Sequence, residues 1–555
     1  MNAPQNVAAH LPAMAQKQPH QPAVINPHGR DRWGRAAYVH YTFAQLDEAC
    51  DFFAKALAEA GLGRGMRAAL MVPPGLEFFA LTFALFKIAA VPVLIDPGMG
   101  IRNLGKCLAE AQPEAFIGIP KAHLARRVLG WARRSIDLTV AVGRPGLGCD
   151  LVLDRLPRSI RAEFAATEPF PVAEVAAEEM AAILFTSGST GIAKGAVYTH
   201  GIFASQVEAI RDAFTIQPGE VDLCTFPLFA LFAPALGMTS IVPDMDATRP
   251  AKVDPEKIFE AVKSFGVTNL FGSPALLNRV GRGAGEKQSM PTLRRVVSAG
   301  APVPTSVIER FARMLSPGVE VFTPYGATEA LPVAVIGSNE ILSETRAKTD
   351  EGAGICVGRP VAGIDVRIIP IRDEPIPLWS DDLPLPAGQI GEIAVHGPWV
   401  TASYFNRPEA TALAKIEVPG GGFYHRMGDV GYFDDRARLW FCGRKSHRVV
   451  TKLETHFTIP CEAVFNTHPD VFRTALVGVN RLGKVEPVLC VEREPHRPPK
   501  SEDALRKELL AIAAKHPHTQ SIRTILFHPA FPVDIRHNSK IFREKLAIWA
   551  QRRLR

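Results

Sequence analysis

At 555 residues the chain is several times longer than one typical domain, so roughly three or four compact units are expected. Hydrophobic residues make up 47% and charged residues 21%, an ordinary globular balance that excludes a disordered or fibrous chain. The net charge of +7, spread along this length without RRM, KH or zinc-finger spacing, excludes a nucleic-acid-binding stripe and implies only mild attraction for anions.

The amino-terminal run MNAPQNVAAHLPAMAQKQPHQ lacks a basic head followed by an apolar stretch, so no signal peptide is expected. The eight cysteines are scattered without a C-x-x-C pair, which argues against a disulfide framework and a zinc site. A soluble, cytoplasmic protein is the expectation. RAALMVPPG (67–75) reads as a strand closed by a Pro-Pro-Gly turn. LEFFALTFALFKIAAVPVLI (76–95) is apolar enough to suggest a membrane, but Glu77, Lys87 and Pro92 interrupt it. A buried helix followed by a buried strand suits it better. AAILFTSG (181–188) reads as a buried strand, GIFASQVEAIRDAF (201–214) as an amphipathic helix, and VTNLFGSP and LRRVVSAGAPV as strands stopped by turn signals. Together these predict a layered α/β body.

From about residue 360 the spacing of VRIIPI, GEIAVHGP and LWFCGR predicts a small β-rich subdomain, up to about 443. A polar basic run, CGRKSHR, then separates off a last α/β block in which TALVGVN, PVLCVER and DALRKELLAIAAKH are the clearest elements. The expected division is an N-terminal body, 1–443, and a small C-terminal domain, 444–555.

The chemistry starts at LFTSGSTGIAKGAVYTH (184–200). The run is not a P-loop, because Ala193 precedes Lys194 and Gly195 follows it, and no G-x-G-x-x-G is present. A strand that feeds a loop of glycines, hydroxyls and one lysine still describes a phosphate clamp. Backbone N–H groups converge on the anion, hydroxyls add short hydrogen bonds, and the lysine supplies a charge.

TSGSTGIAKG resembles the signature loop of the adenylate-forming enzymes, the superfamily of acyl-CoA synthetases, luciferases and peptide-synthetase adenylation domains. Further stretches resemble that family's motifs in its order: FKIAAVPVLIDPG (86–98), SAGAPV (298–303), YGATE (325–329), GQIGEIAVHGPWVTASYFNRPEAT (388–411), YHRMGDVGYFD (424–434), FCGRK and NSKIFREKL (538–546). The resemblance implies an ATP-dependent, magnesium-requiring ligase with a mobile C-terminal lid. It assigns Thr186, Ser187, Gly188, Ser189, Thr190, Gly191 and Lys194 to the phosphates, and Gly300, Ala301 and Pro302 with Tyr325 and Gly326 to adenine. Thr328 falls on the α-phosphate, Glu329 on magnesium with Thr186 available to it, and Asp429 and Arg444 on the ribose. Lys540 is the adenylation lysine, bridging the substrate carboxylate and the α-phosphate from the lid. Lys194, Thr328, Glu329 and Lys540 form the expected catalytic set.

Departures from the family pattern narrow the reading. The family pivots two places after the hinge arginine, usually on Asp or Lys; here Ser446 stands there and Lys445 comes one place early. The stretch VVTKLETHFTIPCE lacks the glycines that help form a coenzyme A channel, and PVDIRHNSK replaces the usual run before the lysine. In TFPLFALFAPALGM (225–238), Phe226, Phe229 and Phe232, with Leu228 and Leu231, imply an apolar acyl pocket; Ala230 stands where many members carry histidine. This combination resembles the β-lactone synthetases of bacterial olefin biosynthesis. The implied substrate is a long-chain 2-alkyl-3-hydroxy fatty acid whose own 3-hydroxyl attacks the adenylate, in place of a second substrate. Other olefin-pathway enzymes are possible partners by the same resemblance. A long-chain acyl-CoA synthetase or acyl-AMP ligase shares nearly all these motifs, and a non-catalytic acyl or nucleotide sensor is a second alternative. His200, His447 and His456 are weak candidates for the base that takes the hydroxyl proton, each reading better as structural.

Overall fold

Strand Arg67–Met71 opens a seven-stranded sheet whose apolar runs follow from burial on both faces. The computed structural model describes residues 5–143, 148–153, 169–186, 193–226, 231–284, 288–495, 497–498, 500–533 and 541–554, without the side chains of Pro97 and Thr186. In order across this sheet run Leu151–Leu153, Leu138–Val142, Ala115–Gly118, Arg67–Met71, Val91–Ile95, Met180–Thr186 and Lys194–Thr199. All neighbours are parallel except the last pair, in which Thr186 stands opposite Lys194. That hairpin brings the two ends of the glycine loop together; residues 187–192, with Ser187, Gly188, Ser189, Thr190 and Gly191, lie outside the described residues.

A second sheet of fourteen strands has a parallel centre: Thr239–Ile241, Val221–Cys224, Asn269–Phe271, Arg295–Val297 and Glu320–Ala327. Antiparallel strands extend it through Ala330–Gly337 and Ile355–Pro360 to the run Asp365–Ile369, Gly391–His396, Phe423–Phe433 and Leu439–Arg444. One hydrophobic cluster draws Leu70, Leu94 and Ala182 from the first sheet and Val24, Cys224 and Val297 from the second. Helix Leu76–Lys87 enters this cluster with every residue but Glu77 buried, as an all-round apolar helix must be. Its one basic group, Lys87, pairs with Asp47 at 3.0 Å and with Asp51. Among the described residues no helix is long and apolar enough to cross a membrane.

The carboxyl ends of the parallel strands point to one edge, where a doubly layered α/β fold places its ligand crevice. Ser298–Pro302 leaves strand Arg295–Val297 there, and Thr328–Glu329 forms the two-residue turn between Glu320–Ala327 and Ala330–Gly337. Gly326 is required in this hairpin, because a Cβ would stand 2.5 Å from the Ala330 carbonyl oxygen.

Past residue 448 a three-stranded sheet, Val471–Arg481, Lys484–Arg493 and Thr524–Phe527, carries two hydrophobic clusters of its own. Helices Thr458–Asn466 and Glu502–Ala513 contribute to one, and Arg543–Arg553 to the other. The Arg543 guanidinium holds both oxygens of Glu462, at 2.7 and 2.6 Å.

Candidate active site

Tyr325, Asp429 and Arg444 meet at the edge just described. Strands Phe423–Phe433 and Leu439–Arg444 pair Asp429 with Arg444 in register. The Tyr325 phenol donates to Asp429 Oδ2 at 2.7 Å, and Arg444 Nε lies 3.1 Å from Asp429 Oδ1. Burial and the Asp429 charge raise the Tyr325 phenol well above its ordinary value, so it stays a donor. The Asp429 carboxylate likewise raises the Arg444 guanidinium. A carboxylate only accepts and has about four acceptor sites, which suits Asp429 to hydroxyl donors. Gly300, at a φ of +94°, turns the chain beside this trio, and Ser298 N–H donates to the Phe322 carbonyl at 2.9 Å.

A second group forms around the Thr328–Glu329 turn. Tyr404 donates its hydroxyl to Glu329 Oε1 at 2.7 Å, and Thr401 N–H donates to the Glu329 carbonyl at 2.9 Å. Tyr198 donates to the Thr328 carbonyl. Lys194 Nζ lies 4.8 Å from the Tyr404 ring centroid, a cation–π distance. Beneath them Lys415 is buried and donates to the Thr401 carbonyl, with His425 opposite it on the neighbouring strand. Burial brings the Lys415 ammonium down to about 7, against the opposing pull of Glu329. His425 is held neutral by burial and by the charge of Lys415.

Just past this turn Leu331 and Pro332 wall a cavity of about 70 Å³, together with Phe214, Phe232, Met238 and Phe271. The Phe226 ring stacks obliquely 6.4 Å from Phe271. The expected acyl residues Phe226 and Phe232 thus converge on this region, with buried Leu231, whereas Leu228 and Phe229 lie outside the described residues.

Residues 11–405 match the AMP-binding enzyme family. The chain belongs to that family.

Over 550 residues this AMP-binding enzyme is 52% identical to the olefin beta-lactone synthetase of Xanthomonas campestris pv. campestris, spanning 98% of this chain and 97% of that one. It is 51% identical to the olefin beta-lactone synthetase of Stenotrophomonas maltophilia, over 100% and 99% of the two chains. Among solved structures, the amide bond synthetase McbA from Marinactinospora thermotolerans shares the fold, with a TM-score of 0.78 at 22% identity over 98% of this chain and 99% of that one. ATP-bound MatB from Rhodopseudomonas palustris does so with a TM-score of 0.76 at 20% identity, over the whole of both chains. The layered α/β body of this AMP-binding enzyme therefore has the architecture of adenylate-forming ligases.

The three histidines sit in structural surroundings. His200 is fully buried, and burial lowers its imidazole to about 4. His456 is buried against the His518 carbonyl and the Ser521 hydroxyl. Burial, with Arg543 and Arg444 nearby, brings His447 down to about 3. Arg543 stands three residues beyond Lys540, which itself lies outside the described residues. At the expected hinge Lys445 is tied to the body, 3.2 Å from Glu392 and 2.8 Å from the Arg372 carbonyl, while Ser446 is exposed. Tyr404, Lys415, His425, Asp222 and Asn269 were not among the residues singled out from the sequence. Tyr404 and His425 fall within the quoted 388–411 and 424–434 motifs; the others are polar residues in ordinary strand patterns and carry no local signal.

Proposed function

We propose that this enzyme couples ATP to a long-chain 2-alkyl-3-hydroxy fatty acid and then closes the activated acid to a β-lactone. What carries the reading is that one hairpin serves both: Glu329 and Lys194 gather about Tyr404, and Leu331 and Pro332, two and three residues past Glu329, wall the cavity. A carboxylate lying across such a hairpin has its hydrocarbon in the cavity and its charge beside the phosphates. The name shared by the two relatives at 52% and 51% identity supports the lactone outcome.

In this reading Tyr325 stacks on adenine beside Gly300–Pro302, and Asp429 and Arg444 take the ribose. Lys194 and the loop from Thr186 to Gly191 hold the β- and γ-phosphates, and Thr328 meets the α-phosphate. Glu329 fits a magnesium ion that accompanies ATP: it offers a hard carboxylate oxygen, and Tyr404 fixes that carboxylate from the side. The ion supplies charge neutralisation of the phosphates. Lys540 brings a cation to the carboxylate and the α-phosphate as negative charge gathers there. The substrate carboxylate attacks the α-phosphorus and pyrophosphate leaves. The 3-hydroxyl oxygen then attacks the acyl carbon, its proton is lost, and AMP leaves with the electron pair of the broken C–O bond.

Residues 1–443 would act as the adenylation body and 444–555 as a lid, with the pivot at Ser446, just past the tethered Lys445. The test is product analysis with ATP, Mg²⁺ and a 2-alkyl-3-hydroxy fatty acid, with and without coenzyme A. Lactone, AMP and pyrophosphate are expected without any thiol. AMP release that requires coenzyme A would replace this reading with that of an acyl-CoA synthetase.

A further inference from the structure

We infer that Asp222 and Asn269 form the inner floor of the acyl cavity and set the length of alkyl arm that it accepts. The inference rests on the acyl-activating reading above and specifies the inner limit of that site. The two residues are direct partners on neighbouring parallel strands, Val221–Cys224 and Asn269–Phe271. Asn269 Nδ2 donates to Asp222 Oδ1. Because side chains two apart share a face, Asn269 lies one same-face step, roughly 7 Å, deeper than Phe271. The strands run toward the nucleotide edge, so depth along them is distance from the reacting carboxylate.

Such a pair is out of place in a parallel sheet, where both faces call for aliphatic side chains. The cavity wall above it is apolar, with Ile210, Phe214, Phe232, Leu236 and Met238, while on the next strand Arg295, the register partner of Asn269, holds Glu220 in a buried ion pair. The pair does not satisfy itself. Asn269 is 7% exposed, and its Oδ1 is buried without a hydrogen-bond partner at a wall of the cavity. Asp222 is 5% exposed, and burial raises its carboxyl to about 7 against the opposing pull of Asn269 and Arg295.

The volume fixes what can enter. At about 70 Å³ the cavity is less than half the ~150 Å³ that accommodates benzene, so only the tip of an alkyl arm fits. Each methylene that leaves water for the wall strengthens binding about fourfold. A methyl pressed onto the floor instead leaves the buried amide oxygen without a donor, about tenfold or more worse than a chain end that can donate to it. The gain per carbon therefore stops abruptly at one chain length. A chain ending in a hydroxyl escapes the loss, since its O–H can donate to Asn269 Oδ1.

The experiment measures kcat/KM for pyrophosphate release over 3-hydroxy fatty acids that lengthen one carbon at a time. The wild-type enzyme is expected to improve with length and then to fall at least tenfold within two added carbons. At the first length past that break, an ω-hydroxyl is expected to recover most of the loss. The double variant Asp222→Ala/Asn269→Ala is expected to move the break outward by two or more carbons. A wild-type profile with no break, or an ω-hydroxyl that only weakens the substrate, overturns the floor without need of any variant. So does a folded double variant whose profile superimposes on the wild type, the result for a pair that serves the fold alone. If acids of every length fail to release pyrophosphate, the acyl-activating reading itself falls and takes the floor with it.

Discussion

The Tyr325 phenol and the Asp429 carboxylate, 104 residues apart in the chain, are joined by a 2.7 Å hydrogen bond. The bond ties the strand that ends in the Thr328–Glu329 turn to the strand that carries the proposed ribose acceptor. Replacing Tyr325 with Phe removes a donor from the buried Asp429 carboxylate. A hydrogen bond to a charged group contributes about 1.5–3 kcal/mol, so KM for ATP is expected to rise about 10- to 100-fold. Initial rates of pyrophosphate release across an ATP titration measure it. An unchanged KM would separate this pair from the nucleotide.

Lys540→Ala is expected to slow pyrophosphate release by about 10²- to 10³-fold, the usual loss of one preorganised donor. ATP affinity and thermal stability should hardly move, because the lysine is assigned to the transferring charge. Single-turnover rates together with nucleotide binding by calorimetry would tell these effects apart.

Chelation of magnesium should stop adenylate formation. Glu329→Gln keeps the shape and the bond from Tyr404 but removes the charge, so the Mg²⁺ concentration that gives half-maximal rate should rise about tenfold or more. A magnesium titration of both proteins checks this, and coincident curves would move the metal elsewhere.

Lys415 couples stability to pH. Burial lowers its folded-state value to about 7, whereas the unfolded chain has an ordinary lysine near 10.5. Between those values the unfolded chain binds more protons, so the burial cost is complete below about pH 7 and fades as the pH rises. The unfolding free energy of the wild type, relative to Lys415→Met, is therefore expected to increase from pH 7 to pH 9 by about 1 kcal/mol per pH unit. Urea denaturation at the two pH values measures the difference, and its sign is the test.

Gly326→Ala places a Cβ 2.5 Å from the Ala330 carbonyl oxygen in the hairpin that sets both Tyr325 and Glu329. Overpacking of this kind costs about 1–3 kcal/mol. Activity should fall further than stability, because any relief moves the turn. Chemical denaturation and pyrophosphate release on the same preparation give both numbers.

Sequence alone determined the local chemistry. The apolar run at 181–186 before a glycine-rich loop required a buried strand, and strand Met180–Thr186 lies there. The run 76–87 required a buried helix, and helix Leu76–Lys87 is buried on every side but Glu77. These features are legible because they depend on residues a few places apart, through strand alternation, helical spacing and turn chemistry.

Partnership was decided only by the tertiary structure. Nothing near Asp429 in the chain announces Tyr325, and nothing near Asp222 announces Asn269, 47 residues on. Lys415 reads as a surface lysine until the Thr401 carbonyl and the Glu329 turn close over it. His200 is sealed in the core beside Phe86 for the same reason. A residue's pattern states which face it prefers to bury. The group waiting on that face is chosen by strand order and register, and these come from packing two sheets around a common core.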